Sequence, residues 1–267
     1  MPNGGLSDGG LSDGDGLESV REMARKTLVV LPTYNEAENL APLVEAIFAQ
    51  GDYHILVVDD NSTDGTGRLA DALGERHPDR LDVLHRPAKA GLGRAYVAGF
   101  ETALARGFSY VVQMDCDLSH DPRYLPDLLL SAGRAGVAIG SRYVEGGETR
   151  GWPLRRRVIS RGGSLYTRLV LGMDIRDLTS GYKAFRRDVL ARLDVGSIGS
   201  TGFGFQVETS WRCWRLGYQA AEVPIVFADR RAGQSKMSSE IFWEALVLVW
   251  RLRLKDTWTP RRGPVPA

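Results

Sequence analysis

A chain of 267 residues, 43% hydrophobic and 25% charged, carries enough apolar material for one large α/β domain or two small ones. Its formal net charge of +1 excludes a global field that would recruit nucleic acid. Two cysteines, Cys116 and Cys213, exclude a disulfide scaffold and a zinc cluster and fit a reducing cytoplasm. No basic-then-apolar leader and no apolar run of about eighteen residues is present, so contact with a bilayer is expected to be peripheral, at the cytoplasmic face, or through an integral membrane partner protein.

Residues 1–25 repeat Gly-Leu-Ser-Asp-Gly, at Gly5–Gly9 and Gly10–Gly14, and are read as a disordered lead-in. From Thr27 onward short apolar runs, Leu28–Leu31, Ile55–Val58, Leu81–Leu84, Tyr110–Met114 and Val137–Ile139, alternate with amphipathic stretches at 36–49, 64–76, 91–106 and 122–134. That alternation predicts βαβ units: an α/β, Rossmann-like single domain over 26–238, with a mostly parallel central sheet flanked by helices on both faces. Asp64 and Asp121 stand where helix caps belong, the latter before Pro122. Past Arg142 the expected elements are a helix from Pro153 to Leu171, a strand at Tyr182–Phe185, a helix at 204–216 and a strand at Ala221–Phe227. A last apolar or amphipathic helix is expected within 239–256, suited equally to a core or to a bilayer surface, and 257–267 form a flexible tail.

Open parallel sheets bind ligands at the carboxyl ends of their strands, and the polar loops of the first half fall there. They are Pro32-Thr33-Tyr34-Asn35-Glu36, Asp59-Asp60-Asn61-Ser62, Asp115-Cys116-Asp117 and Ser141-Arg142. Two carboxylates one residue apart, Asp115 and Asp117, suit a hard divalent cation, Mg²⁺ or Mn²⁺, that shares its shell with substrate phosphates. On spacing alone, a solvated pair of strand-end carboxylates is an equal reading. Asp60 is placed to accept hydrogen bonds from a ribose or base, while Asp64 reads first as a helix cap. Between Arg150 and Arg168 there are six arginines and no acidic residue, a pattern that fits phosphate oxygens at a helix N-terminus, or otherwise a solvated helix face. Arg230-Arg231-Ala232-Gly233-Gln234-Ser235-Lys236 adds a short basic loop whose Gly233 would let it close over a diphosphate.

In order along the chain, Pro32-Thr33-Tyr34-Asn35-Glu36, Val57 to Thr66, Asp115 to His120 and Gly140-Ser141-Arg142-Tyr143 resemble the family 2 inverting glycosyltransferases with the GT-A fold. Trp152-Pro153 with Arg155 to Arg161, Leu178-Thr179-Ser180-Gly181-Tyr182 and Arg230 to Lys236 narrow the resemblance to the polyprenol-phosphate (dolichol-phosphate) mannosyltransferase branch. The resemblance spans about Thr27 to Glu240 and implies transfer of mannose from GDP-mannose to a polyprenyl phosphate, giving polyprenyl-phosphate mannose as a lipid-linked donor for envelope glycan or protein mannosylation. It implies nucleotide-sugar contacts at Pro32, Tyr34, Glu36, Val58, Asp60, Asp115 and Cys116, with Arg230 and Lys236 on the donor diphosphate. It implies metal ligation by Asp115 and Asp117, and catalytic roles for Asp117, Ser119, Arg142 and Arg156. Ser119 departs from the glutamine often found there. Arg142, Arg155, Arg156 and Arg157 would hold the acceptor phosphate.

An acceptor phosphate with a second pKa of about 6 is already largely anionic at neutral pH, so no general base, and no indispensable histidine, is expected. The nearest alternative is the same chemistry with glucose or another hexose from a UDP- or GDP-sugar. An alternative of another class is a non-catalytic nucleotide-binding scaffold for a membrane partner. A dinucleotide-dependent oxidoreductase is disfavoured, because Pro32-Thr33-Tyr34 stands where a Gly-x-Gly-x-x-Gly turn belongs.

Overall fold

The computed structural model describes residues 13–200, 202–228 and 247–254. Helix α1 (Asp13–Arg25) leads into β1 (Thr27–Thr33), α2 (Ala37–Phe48), β2 (His54–Asp59), α3 (Thr66–Arg76), β3 (Leu81–His85), α4 (Leu92–Arg106), β4 (Tyr110–Gln113), α5 (Leu125–Ala135) and β5 (Val137–Ser141). There follow β6 (Glu148–Arg150), α6 (Leu154–Leu171), β7 (Lys183–Arg186), α7 (Arg187–Arg192), α8 (Gly202–Arg215), β8 (Ala221–Pro224) and β9 (Val226–Ala228). Residues 247–254 are helical.

Seven strands form one sheet in the order β3-β2-β1-β4-β7-β5-β8. All neighbours are parallel except β7, which runs antiparallel to both β4 and β5. Successive strand residues point to opposite faces, so β1 divides its side chains between two cores. Leu28 and Val30 join Leu56, Val58, Tyr96, Phe100, Phe185 and Phe205 on one face. Val29 and Leu31 join Leu43, Ile47, Val57, Leu73, Leu128 and Leu129 on the other. Helices therefore cover both faces, and the strands read as near-continuous apolar runs because neither face meets water. Close approach of α4 depends on Gly99, where a Cβ would come within 2.3 Å of Val30 Cγ1.

Three differences from the sequence reading have local causes. Within the stretch read as a disordered lead-in, Asp13–Arg25 is a helix, anchored where Ala24 is buried and Met23 packs beside the second core. The strand expected over Ala221–Phe227 is two: β8 joins the main sheet, and β9 pairs in parallel with β6, an element too short and polar to signal itself. The C-terminal helix lies outside the described residues except for 247–254, where Val249 and Leu252 enter the first core while Val247, Trp250 and Leu254 are exposed.

Candidate active site

The loops after β1 and β2 are tied into one unit. Thr33 Oγ1 donates to Asp59 Oδ1 (3.1 Å), Ser62 Oγ donates to the same oxygen (2.5 Å), and the Asn35 amide donates to Ser62 Oγ (3.0 Å). Asp64 is not the N-cap of α3, which is Gly65; from one residue earlier it accepts from the amide of Thr66, the first residue of α3 (3.0 Å), and from the Ala37 amide (3.1 Å) at the start of α2. Asp59 is thus an internal brace. Asp60, also buried, meets Arg86 Nη1 at 2.6 Å and accepts from the Ala90 amide at 3.2 Å. Tyr34 carries the Lys89 ammonium 3.7 Å from its ring centre, and Glu36 Oε2 accepts from Asn39 at 2.8 Å. The sequence reading missed Arg86 and Lys89, which lie in a loop without motif character. Pro32 and Val58 are buried partners in the β1–β2 register, and the Val58 side chain packs in the first core.

The acidic triplet follows β4. Asp117 is buried, and its Oδ1 accepts from the Ser119 amide (3.1 Å). Between them Leu118 adopts φ 59°, a left-handed conformation that costs a leucine energy and that clusters at functional turns. Asn35 and Asn61 take the same conformation in the neighbouring loops, where asparagine tolerates it. Cys116 points into the second core, and burial pushes its thiol pKa well up. Asp115 Oδ1 accepts from the buried phenol of Tyr96 at 2.6 Å, and the Asp115 amide donates to His120 Nδ1 at 3.2 Å. His120 is buried and stacked on Tyr182. It packs within the scaffold of the loop.

Arg142 lies at the end of β5, but Asp177 already holds it. Nε meets Asp177 Oδ2 at 2.7 Å and Nη2 meets Oδ1 at 2.6 Å, with Thr179 Oγ1 at 2.8 Å from Nη2. Burial opposes the charge on Arg142, and the Asp177 carboxylate more than offsets it, so its pKa is raised. Its guanidinium lies 5.2 Å from the ring centre of buried Trp152, and Arg156 lies 4.0 Å from the same ring. Arg156 is half-buried, whereas Arg155 and Arg157 are exposed, the latter donating to the Thr149 carbonyl (3.1 Å). Arg230 and Lys236 lie outside the described residues.

The donor chemistry suits a hard cation. Asp115 and Asp117 present oxygen, and among the described residues the buried Ser119 Oγ has no hydrogen-bond partner and no group of three His, Cys, Asp or Glu side chains able to hold a metal occurs. Such an ion would need substrate oxygens to complete its shell.

Residues 28–194 match glycosyl transferase family 2. The chain is 49% identical over 244 residues to the polyprenol monophosphomannose synthase of Mycolicibacterium smegmatis, covering 90% of this chain and 92% of that protein. It is 46% identical over 239 residues to the undecaprenyl-phosphate mannosyltransferase of Micrococcus luteus, covering 89% and 98%. Among solved structures it shares the fold of glucosyl-3-phosphoglycerate synthase from Mycobacterium tuberculosis, solved with Mn²⁺, UDP and glucosyl-3-phosphoglycerate, at a TM-score of 0.64 and 22% identity over 96% of this chain and 88% of that one. A mannosyltransferase from Pyrobaculum calidifontis, solved with GDP-Man and Mn²⁺, aligns at 0.54 and 19% identity over 94% and 74%.

Proposed function

This chain belongs to glycosyl transferase family 2, in its polyprenol-phosphate mannosyltransferase branch, and is an enzyme; we propose that it transfers mannose from GDP-mannose to a polyprenyl phosphate with inversion. The observation that carries this reading is the acidic loop Asp115–Ser119 at the carboxyl edge of the sheet, with Asp117 and Ser119 buried, in a chain whose relatives are named for mannose transfer to a lipid phosphate. That the relatives are a synthase and a transferase sets aside the scaffold alternative.

In this reading Asp115, Asp117 and Ser119 face a Mg²⁺ or Mn²⁺ ion, which when bound neutralises the diphosphate leaving group. Tyr34, Glu36, Asp60 and the backbone at Pro32, Val58 and Cys116 hold the nucleotide, and Arg230 and Lys236 take the donor diphosphate. Arg156, presented by the Trp152 ring, and Arg155 and Arg157 in the same helical turn hold the acceptor phosphate, whose oxygen attacks without a base. Arg142 acts on that phosphate chiefly by fixing Trp152.

A lipid acceptor must be met at a bilayer, yet no helix of the described residues is long and apolar enough to cross one. Helix α6 supports peripheral contact. Leu154, Val158, Leu165 and Leu169 repeat at helical spacing along one stripe and are exposed, Leu154 and Leu169 by 75% each. Five arginines and no acid share this helix, which suits an anionic surface.

Incubation with labelled GDP-mannose, UDP-glucose and GDP-glucose and a panel of polyprenyl phosphates, with Mn²⁺, Mg²⁺ or chelator, tests the reading. A metal-dependent mannolipid from GDP-mannose supports it. A glycolipid formed from UDP-glucose instead would replace mannose with glucose.

A further inference from the structure

The carboxylate of Asp115 is enclosed by residues that the nucleotide and acceptor assignments do not use. Tyr96, from α4, is fully buried, its ring stacked on Phe205 (centroids 5.7 Å, interplanar 11°) and on Phe100 (6.1 Å, 28°), with its hydroxyl 2.6 Å from Asp115 Oδ1. A phenol hydroxyl set against a carboxylate oxygen is the donor in this bond. On another side stands Gly181, where a Cβ would come within 2.8 Å of Asp115 Oδ2 and 3.2 Å of His120 Cε1. Gly181 is itself held, because Gln113 Nε2 donates to its carbonyl (3.0 Å).

We propose that Tyr96 and Gly181 are positioning residues for the metal seat: the phenol occupies one oxygen of Asp115, the bare glycine admits the other, and together they fix the carboxylate before any ion arrives. This rests on the metal role assigned to Asp115 above. The physical gain is preorganisation. A carboxylate whose torsions are already locked gives up less freedom on binding a cation, and outer partners of this kind are worth about 10- to 100-fold in metal affinity. Phenylalanine at position 96 keeps both ring stacks and deletes only the donor, while alanine at position 181 displaces Oδ2 from the opposite side.

The test is Mn²⁺ titration of the full chain, followed by electron paramagnetic resonance of the free ion, with Mn²⁺ alone and with GDP or UDP present. Tyr96→Phe and Gly181→Ala should each weaken Mn²⁺ binding about 10-fold or more while circular dichroism and chain-fold cooperativity on heating are retained. In turnover, Tyr96→Phe should need more Mn²⁺ for half-saturation and approach the wild-type rate at high Mn²⁺, a recovery that general misfolding does not allow. Added to Asp115→Asn, Tyr96→Phe should cost nothing further, since it acts through that carboxylate. Mn²⁺ affinity in Tyr96→Phe equal to wild type, where Asp115→Asn loses it, overturns the positioning role alone. Absence of Mn²⁺ binding by the wild-type protein under every condition overturns the metal reading and this inference with it.

Discussion

Replacing Asp177 by alanine removes the only carboxylate among the described residues bonded to the Arg142 guanidinium, which is 5% exposed, from a site where Asp177 itself is 0% exposed. Three bonds to Arg142 go at once: from its amide (3.0 Å), from Nε (2.7 Å) and from Nη2 (2.6 Å). Water cannot take their place without opening the end of β5. Leaving one partner of a buried pair uncompensated costs about 3–5 kcal/mol, a large share of the roughly 5–15 kcal/mol that holds a domain folded. Arg142→Met should cost a similar amount by stranding Asp177. The double replacement Arg142→Met with Asp177→Leu restores an apolar, paired filling and should recover most of the loss, since such swaps are often neutral. Urea unfolding of the four proteins gives the coupling energy, and turnover of each gives the function. If Asp177→Ala costs less than about 1 kcal/mol, the range of an exposed pair, the closed geometry argued here is wrong. A double variant that regains both stability and turnover assigns Arg142 to support of Trp152; one that regains stability alone assigns its guanidinium to the substrate.

Asp117→Ala should abolish transfer while the unfolding midpoint stays near wild type, and excess chelator should silence the wild-type enzyme; full activity in either case removes the metal from the reaction. On α6, changing Leu154, Val158, Leu165 and Leu169 together to glutamine should abolish flotation with vesicles rich in anionic lipid and leave Mn²⁺ binding intact, and unchanged flotation would place the bilayer contact elsewhere. Lys183, fully buried with its ammonium 2.7 Å from the Gln206 carbonyl, has its pKa lowered by burial to about 7. Its folded pKa lies below its unfolded one, so between pH 7 and about 9 the unfolded chain binds more protons and wild-type stability should rise with pH. Lys183→Met should lose that slope; equal slopes in urea unfolding at pH 6, 7, 8 and 9 would show that the amine is not so perturbed.

Much of the site was legible because it depends on local pattern. A buried parallel strand is a run of apolar residues, its carboxyl end is where the run stops, and Pro32–Glu36, Asp59–Ser62 and Asp115–Asp117 stand at those stops. Periodicity also gave the layers, since alternate residues of β1 feed two cores. Long-range pairing was beyond it. Arg142 and Asp177 are 35 positions apart, and nothing in the sequence around Arg142 marks it as an arginine whose fork is already taken. Likewise Asp60 alone signals a nucleotide contact, and only the folded chain brings Arg86 against it.

The sequence by itself determined the α/β class, the parallel βαβ pattern of the first half and the acidic loop, because these follow from residue spacing within about 15 positions, the length of a helix or of a strand and its turn. Only the tertiary structure decided that β7 enters the sheet between β4 and β5 against the direction of both. An antiparallel strand brings its amino end to the edge where its neighbours end, so Gly181 stands beside Asp115 and Gln113 pairs with Lys183. The same packing sets α4 close enough on β1 for Tyr96 to reach that carboxylate. Insertion of a strand is chosen by the sum of apolar burial on both of its faces, a quantity that no window of the sequence contains.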